Sequence, residues 1–242
     1  MDLKTFNWQA GPSYPYRPRE IISAWDVAAM GIQENSYDRK LRMLRQLSLC
    51  CSACTCCELG RREIIRDGIA RDPHVLSSMN PTRIVVCGQN PGLNEIIEGV
   101  PFVGASGKNF DKEIAKHGLD RSQFYITNTI RCFTDDNAKP NYLQTKRCKP
   151  FLMIEMALIK PLLVVTLGGS AFDILCPGAG YQQSLGKITK SEEFEVKVFA
   201  VYHPSPLNLT DKSRRADFEH QIAILAKLVK HLTTAEQNPD LQ

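Results

Sequence analysis

Four short apolar runs, Ile84–Cys87, Phe124–Thr127, Leu162–Leu167 and Val196–Val201, each give way within two residues to a glycine, an asparagine or a histidine. Helical stretches separate them. Ser106–His117 opens on Ser-Gly, Asn141–Lys160 follows Pro140, and Ser170–Leu175 follows Gly168-Gly169. Arg215–Leu232 reads as a closing helix, and Tyr37–Leu49, with apolar spacing at Leu41, Leu44 and Leu47, as a lead-in helix. Buried strands alternating with helices predict an α/β fold of three layers, a parallel sheet with helices on both faces. In such sheets the ligand crevice lies beyond the carboxyl ends of the strands. The polar motifs of this chain follow its apolar runs, at that edge.

With 242 residues, 43% hydrophobic and 23% charged, the chain has the composition of an ordinary globular protein. No apolar run is long enough for a membrane span, and the opening MDLKTFNWQAG lacks a signal-peptide pattern. The expected location is therefore cytoplasmic, nucleoid-associated or nuclear according to source. A net charge of +4 permits a polyanionic partner if the positive groups gather on one face. Residues 1–36, rich in proline, aromatic and polar side chains with a hint of helix at Ile21–Met30, read as an extension.

Each motif has a bland reading beside its chemical one. Gly88-Gln89-Asn90-Pro91-Gly92 makes a rigid turn that can hold the Asn90 amide over a pocket, yet alone it is an ordinary strand-to-loop turn. Pro101-Phe102-Val103-Gly104 leads to Ser106-Gly107, where a helix N-terminus with small residues suits a phosphate. Phe102 can stack on a flat base, although a phenylalanine taken singly is more often core. Asn128 offers both donors and an acceptor to a planar heterocycle, or simply caps backbone. His203, locked by Pro204-Ser205-Pro206, can donate to a developing oxyanion. His74, His117, His220 and His231 read as solvated or core residues.

Nine cysteines, five of them (Cys50, Cys51, Cys54, Cys56 and Cys57) within eight residues, do not form a simple disulfide framework. Cys54-x-x-Cys57, then Cys132 and, sixteen residues later, Cys148 supply four soft ligands. They suit an iron–sulfur cluster or zinc, and spacing does not choose between the two. Nor does it choose within the first group, because Cys51-x-x-Cys54 has the same form. Cys87 and Cys176 read as packing residues.

Taken in order, these motifs resemble the uracil-DNA glycosylase superfamily over residues 48–230, most closely its iron–sulfur family-4 type. The likeness rests on Cys54-x-x-Cys57-x-Leu59, the glycine–proline turn at 88–92 and Gly99-x-Pro101-Phe102-Val103-Gly104. It continues in Ile126-Thr127-Asn128 before Cys132, the Cys132/Cys148 interval, Leu167-Gly168 and His203-Pro204-Ser205. The resemblance implies a four-stranded parallel sheet, and a [4Fe-4S] cluster on Cys54, Cys57, Cys132 and Cys148 in preference to zinc. It implies hydrolysis of the N-glycosidic bond of uracil in DNA, with the nucleotide flipped into a pocket. Asn90 would position the attacking water and His203 would stabilise charge growing on the base. Gln89, Phe102 and Asn128 would bind the base. Ser106, Gly107, Ser205, Leu207 as a wedge, and Arg214 beside Lys212 and Arg215 would hold the DNA.

One departure bears on substrate choice. Family-4 enzymes usually read G-E-A-P-G, whereas Gln89-Asn90 resembles the G-x-N-P-G of the mismatch-specific and single-strand-selective branches. An amide orients water but is a poor general base, so slower chemistry and a range extending to 5-substituted uracils are expected. The expected organisation is an extension and lead-in helix over 1–47, a glycosylase-like domain over 48–232 and a polar tail over 233–242. The expected partners are uracil-containing DNA and a protein docked on the extension, with the chain itself a monomer off the membrane. The rival expectations are a non-catalytic DNA-binding relative and a zinc-stabilised nucleotide- or RNA-processing enzyme.

Overall fold

The computed structural model describes residues 36–66, 69–71, 75, 77–78 and 82–237. The expected Ile21–Met30 helix and the last five residues of the tail lie outside them. All four expected strands form: β3 (Ile84–Gly88), β4 (Tyr125–Asn128), β5 (Leu163–Leu167) and β7 (Val196–Val201) run parallel in the order β4-β3-β5-β7. The sheet is not four-stranded, however. A fifth strand, β6 (Ile188–Ser191), adds antiparallel to β7 at one edge. Its sequence gave no strand signal because most of it faces solvent, with Ile188 49% exposed. A separate antiparallel hairpin, β1 (Ile64–Arg66) with β2 (Ile69–Arg71), was likewise not anticipated.

The period of two along each strand sorts side chains into two cores. Val85, Cys87, Tyr125, Val164, Val198 and Ala200 face helices α1 (Ser36–Ser52) and α4 (Tyr142–Ile159). Val86, Ile126, Val165, Phe199 and Val201 face α3 (Ala105–Lys116) and α8 (Lys212–Gln237). A short helix α2 (Leu93–Glu98) follows β3. The chain leaves β3 for β4 on one side, then crosses to β5 on the other side of β3. That reversal of direction opens a crevice at the carboxyl ends of the strands. Register matters here: Gly88 pairs with Asn128, so the two strands end level.

Helix α4 starts where its cap dictates. Asn141 Oδ1 accepts from Gln144 N (2.9 Å) and Gln144 Oε1 accepts from Asn141 N (2.8 Å). In its last third, Glu155 meets Arg131 in an ion pair with both side chains 4% exposed. Neighbouring hydroxyls satisfy the carboxylate: Tyr125 Oη donates to Oε1 at 2.7 Å, Thr127 Oγ1 to Oε2 at 2.9 Å and Ser77 Oγ to Oε1 at 2.5 Å. Arg131 in turn donates to Ser77 Oγ at 2.5 Å. Residues 77–78 also close the free edge of β4, where Ser78 N donates to Ile126 O (2.9 Å) and Ser78 Oγ accepts from Ile126 N (2.7 Å).

Removing one partner of a buried pair leaves the other charge uncompensated, which costs about 3–5 kcal/mol. Glu155→Ala should therefore lower the unfolding free energy from urea titration by about 3–5 kcal/mol, read as a lower midpoint at unchanged denaturant slope. A loss under about 1 kcal/mol would mean the guanidinium reaches water and the pair is not structural.

Candidate active site

The loop after β3 is stitched to the loop after β4 by backbone. Gly88 O accepts from Thr129 N (2.8 Å), and Gln89 O accepts from Ile130 N (2.9 Å) and Thr129 Oγ1 (2.8 Å). Within that frame Gln89 Nε2 donates to Asn90 Oδ1 (2.6 Å), and Asn90 Nδ2 donates to Pro91 O (2.9 Å). The Asn90 amide is thus fixed from both ends.

Glu95, on α2, draws the next loop in. It is buried, its Oε2 accepts from Gly92 N at 3.0 Å and its Oε1 from Gly104 N at 2.7 Å. One carboxylate thereby ties the Asn90 turn to the Phe102 loop. Phe102 adopts φ +53°, a left-handed conformation that costs a bulky residue roughly 1–3 kcal/mol. Two glycines make room for it. A Cβ on Gly107 would lie 1.8 Å from Phe102 O, and one on Gly88 would lie 2.3 Å from the ring and 2.7 Å from Asn128 Oδ1. The ring and the Asn128 amide therefore converge over bare backbone.

These loops enclose a cavity of about 660 Å³ at the strand ends, lined by Gln89, Asn90, Glu95, Phe102, Asn128 and His203, with Ser106 and Ser205 at its sides. That volume is in the range of small-molecule pockets. Asn128 is 2% exposed, and its Oδ1 has no hydrogen-bond partner. A buried acceptor left unmade is costly, and one that lines a cavity invites a donor from a ligand. His203 enters from the end of β7 on a braced turn: its carbonyl accepts from Asn208 Nδ2 (3.0 Å) and that of Pro204 from Asn109 Nδ2 (2.9 Å). Burial lowers its pKa below the ordinary 6.5, so at neutral pH the ring is uncharged and keeps one N–H to donate.

The cysteines gather beside this cavity. Cys54, Cys57, Cys132 and Cys148, from three separate segments, surround a small pocket together with Cys51 and Cys56. Among the described residues no three His, Cys, Asp or Glu side chains are arranged to hold a single metal ion. The thiols line the pocket, and an all-sulfur donor set is chemically suited to an iron–sulfur cluster or to zinc. Cys148 Sγ accepts from Arg131 N at 3.3 Å. Burial pushes the Cys148 thiol up to about 12, and burial with the crowding of its neighbours raises Cys132 as well. A bound cation reverses that preference by deprotonating the thiols outright.

The family model described as the uracil DNA glycosylase superfamily matches residues 77–228, well over half of the chain. The chain belongs to that superfamily. It is 32% identical over 154 residues to a type-4 uracil-DNA glycosylase of Archaeoglobus fulgidus, covering 60% of this chain and 76% of that protein. A type-4 uracil-DNA glycosylase of Sulfurisphaera tokodaii is 35% identical over 130 residues, 50% of this chain and 59% of the relative. One from Thermotoga maritima is 31% identical over 143 residues, 57% of this chain and 73% of the relative.

The remaining residues singled out in the sequence lie apart from the superfamily pocket. Gly107 is buried within α3 beneath Phe102 O and does not line the cavity. Leu207, 81% exposed, stands on the short helix α7 (Pro206–Thr210), whose cap Ser205 accepts from Asn208 N at 3.3 Å. Arg214 is exposed in the first turn of α8, its backbone N–H on Asp211 Oδ1 (2.8 Å). Glu95 was missed. Its only sequence signal is an acid three residues into a helix opened by Gly92, half of a capping box.

His203 yields a pH prediction. A histidine kept neutral by burial binds its proton more weakly folded than unfolded. Its contribution is therefore complete above pH 6.5 and is lost as pH falls below 6.5 toward the lowered folded value. His203→Gln should flatten that part of the curve of unfolding free energy against pH. An unchanged slope would mean that the imidazole is solvated.

Proposed function

We propose that this chain hydrolyses the N-glycosidic bond of uracil in DNA, leaving an abasic site for base-excision repair. The observation that carries this reading is the unpartnered Asn128 Oδ1 beside the Phe102 ring. Uracil presents N3–H as a donor and O4 as an acceptor, complementary to the two ends of an asparagine amide. Cytosine presents the reverse, so an amide held in the sense that suits uracil rejects it. A base within a duplex cannot reach such a pocket, so the nucleotide must be flipped out. The names of the type-4 relatives support the same chemistry.

In the reaction the C1′–N1 bond breaks, its electron pair leaves with uracil as an anion spread over N1, O2 and O4, and water adds to C1′. Neutral His203 donates to O2 as charge develops there, and no proton need first be removed from it. Such oxyanion donors are worth about 100- to 1000-fold in rate. Asn90 accepts from the water and orients it. The proton lost by the water ends on the departing base, directly or through solvent, because an amide is not a base. Glu95 holds the two loops with both carboxylate oxygens already accepting backbone N–H groups. Gln89 fixes the Asn90 amide at the pocket edge.

Leu207 suits a wedge into the vacated stack, and Ser106 and Ser205 at the sides of the cavity suit contact with the approaching DNA strand, with Arg214 for the backbone phosphates. Gly107, buried beneath Phe102 O, serves that approach only by letting the Phe102 loop close. Cys54, Cys57, Cys132 and Cys148 would hold a [4Fe-4S] cluster, with zinc the alternative. Such a cluster supplies binding energy to the fold and no electron to a hydrolysis. Among the described residues no helix is long and apolar enough to cross a membrane. The reading is completed by a monomer acting on DNA in the cytoplasm or nucleus, with residues 1–47 as a docking segment for a protein partner.

An oligonucleotide with one uracil, treated with the protein and then alkali, should break at that position. Asn90→Ala should cut the rate by about tenfold or more. A parallel panel of 5-hydroxymethyluracil, hypoxanthine and thymine measures the range that the Gln89-Asn90 motif allows, with 5-hydroxymethyluracil expected to be cleaved. Absence of scission on every base, with DNA binding retained, would overturn the reading in favour of a non-catalytic relative.

Cys132→Ala should lose the absorbance near 400 nm (about where iron–sulfur charge transfer falls) and solubility together. A colourless variant as stable as the wild type would remove the structural role assigned to the cluster.

A further inference from the structure

Arg121 opens a short 3-10 turn, Arg121–Gln123, that feeds directly into β4. The turn is rigid at its start: Asp120 Oδ1 accepts from Ser122 N (2.8 Å) and Gln123 Oε1 accepts from Asp120 N (2.8 Å). From there the guanidinium reaches across to the Phe102 loop. Nη1 donates to Phe102 O at 2.8 Å, and Nη2 donates to Pro101 O. Asp111, on α3, steadies it, with Nη1 3.3 Å from Oδ1 and 3.2 Å from Oδ2.

Two successive carbonyls pointing at one cation are unusual in extended backbone. The left-handed φ of +53° at Phe102 is one of the two torsions that set the angle between them. Were Phe102 to relax to an extended conformation at negative φ, the carbonyls would point to opposite sides of the chain and the fork would lose one of its two acceptors. On the other side, the absence of a Cβ on Gly107 is what lets Phe102 O lie this close to α3, since a Cβ there would fall 1.8 Å from that oxygen. The planar guanidinium matches this pair of acceptors, whereas an ammonium, a point charge, cannot span both in a fixed plane.

We infer that Arg121 is a positioning residue: its fork holds Phe102 in the left-handed conformation and thereby sets the ring against the bound base. The inference rests on the reading of this cavity as a base pocket. It means that ring and amide are anchored to the two ends of one strand, Arg121 leading into β4 and Asn128 closing it. Asp111 acts one step further out, orienting the guanidinium.

The test is a double-mutant cycle on the full chain with its cofactor: wild type, Arg121→Ala, Phe102→Ala and the double variant. Arg121→Lys is added as the conservative control, and Arg121→Ala is crystallised. Single-turnover excision from a one-uracil oligonucleotide and inhibition by free uracil are both measured. Arg121→Ala should slow excision about 10- to 100-fold, the cost of misplacing a positioned group by about an ångström, and should weaken uracil inhibition in parallel. Arg121→Lys should recover only part of the loss. In the Phe102→Ala background the same change should matter less than about twofold, because the ring through which Arg121 acts is gone. The crystal should show Phe102 at negative φ.

Losses that add in the double variant, or Phe102 unmoved in the crystal, would overturn the inference. Should Arg121→Ala fail to fold, Arg121→Lys carries the same cycle and crystal comparison. A wild type that does not excise uracil defeats the glycosylase reading separately. The φ of Phe102 in the variant then decides on its own whether Arg121 is the clamp.

Discussion

Arg131, in the loop after β4, and Glu155, on α4, join that strand end to the helix, and their pairing constrains both. A guanidinium and a carboxylate buried together recover their desolvation only if nearly every remaining hydrogen-bonding position is filled. Ser77, Tyr125 and Thr127 fill them. Each comes from β4 or from the segment along its edge, so the pair anchors α4 to that strand at a definite height. Cys132 is next in sequence to Arg131, and the Arg131 backbone N–H is given to Cys148 on α4. The cysteine centre and the end of β4, where Asn128 stands, are consequently parts of one braced unit.

The pocket follows from that anchoring. With β4 fixed and in register with β3, Gly88 lies beside Asn128 and the Asn90 turn is tied to the following loop through Thr129 and Ile130. Phe102 is then brought in by Glu95 on one side and Arg121 on the other. Both side chains are spent on backbone: the carboxyl oxygens of Glu95 accept from amides, and the Arg121 guanidinium donates to carbonyls. Charge is used to build loops rather than to line the space that the base would occupy.

Much of this architecture was legible before any coordinates. The four parallel strands and the main helices stood out because apolar runs ending in glycine, asparagine or histidine alternate with helical spacing, and tertiary packing follows the same pattern. Gln89, Asn90, Phe102, Asn128 and His203 were legible as a set because each sits at a strand end or in the loop that follows one. What escaped has a physical reason. Strand β6 lies on an exposed edge, where the hydrophobic signal fades. Glu95, Arg121 and Glu155 act through the reach of a long side chain to backbone or charge far along the chain. A local pattern shows at most the capping-box half of Glu95 and carries no trace of the Arg121 and Glu155 contacts. The left-handed Phe102 was equally invisible, since phenylalanine is among the residues least expected to adopt that conformation.

The chemistry of the cavity can be weighed from the same facts. A base that leaves as an anion is helped by donors and hindered by nearby negative charge. Glu95, the one acidic side chain bordering the space among the described residues, has both oxygens occupied by the amides of Gly92 and Gly104 and so turned from where the base would depart. His203 is held uncharged by burial, so it contributes a directed N–H without the cost of desolvating a cation. Asn90 offers a dipole fixed by Gln89 and the Pro91 carbonyl, and Asn128 a buried acceptor turned to the cavity. A site assembled from preoriented dipoles needs little reorganisation as charge moves from sugar to base, and preorganisation of this kind is where the largest part of such catalysis resides. Its cost is borne elsewhere, in the strained Phe102 backbone and in the buried ion pair that keeps β4 from shifting.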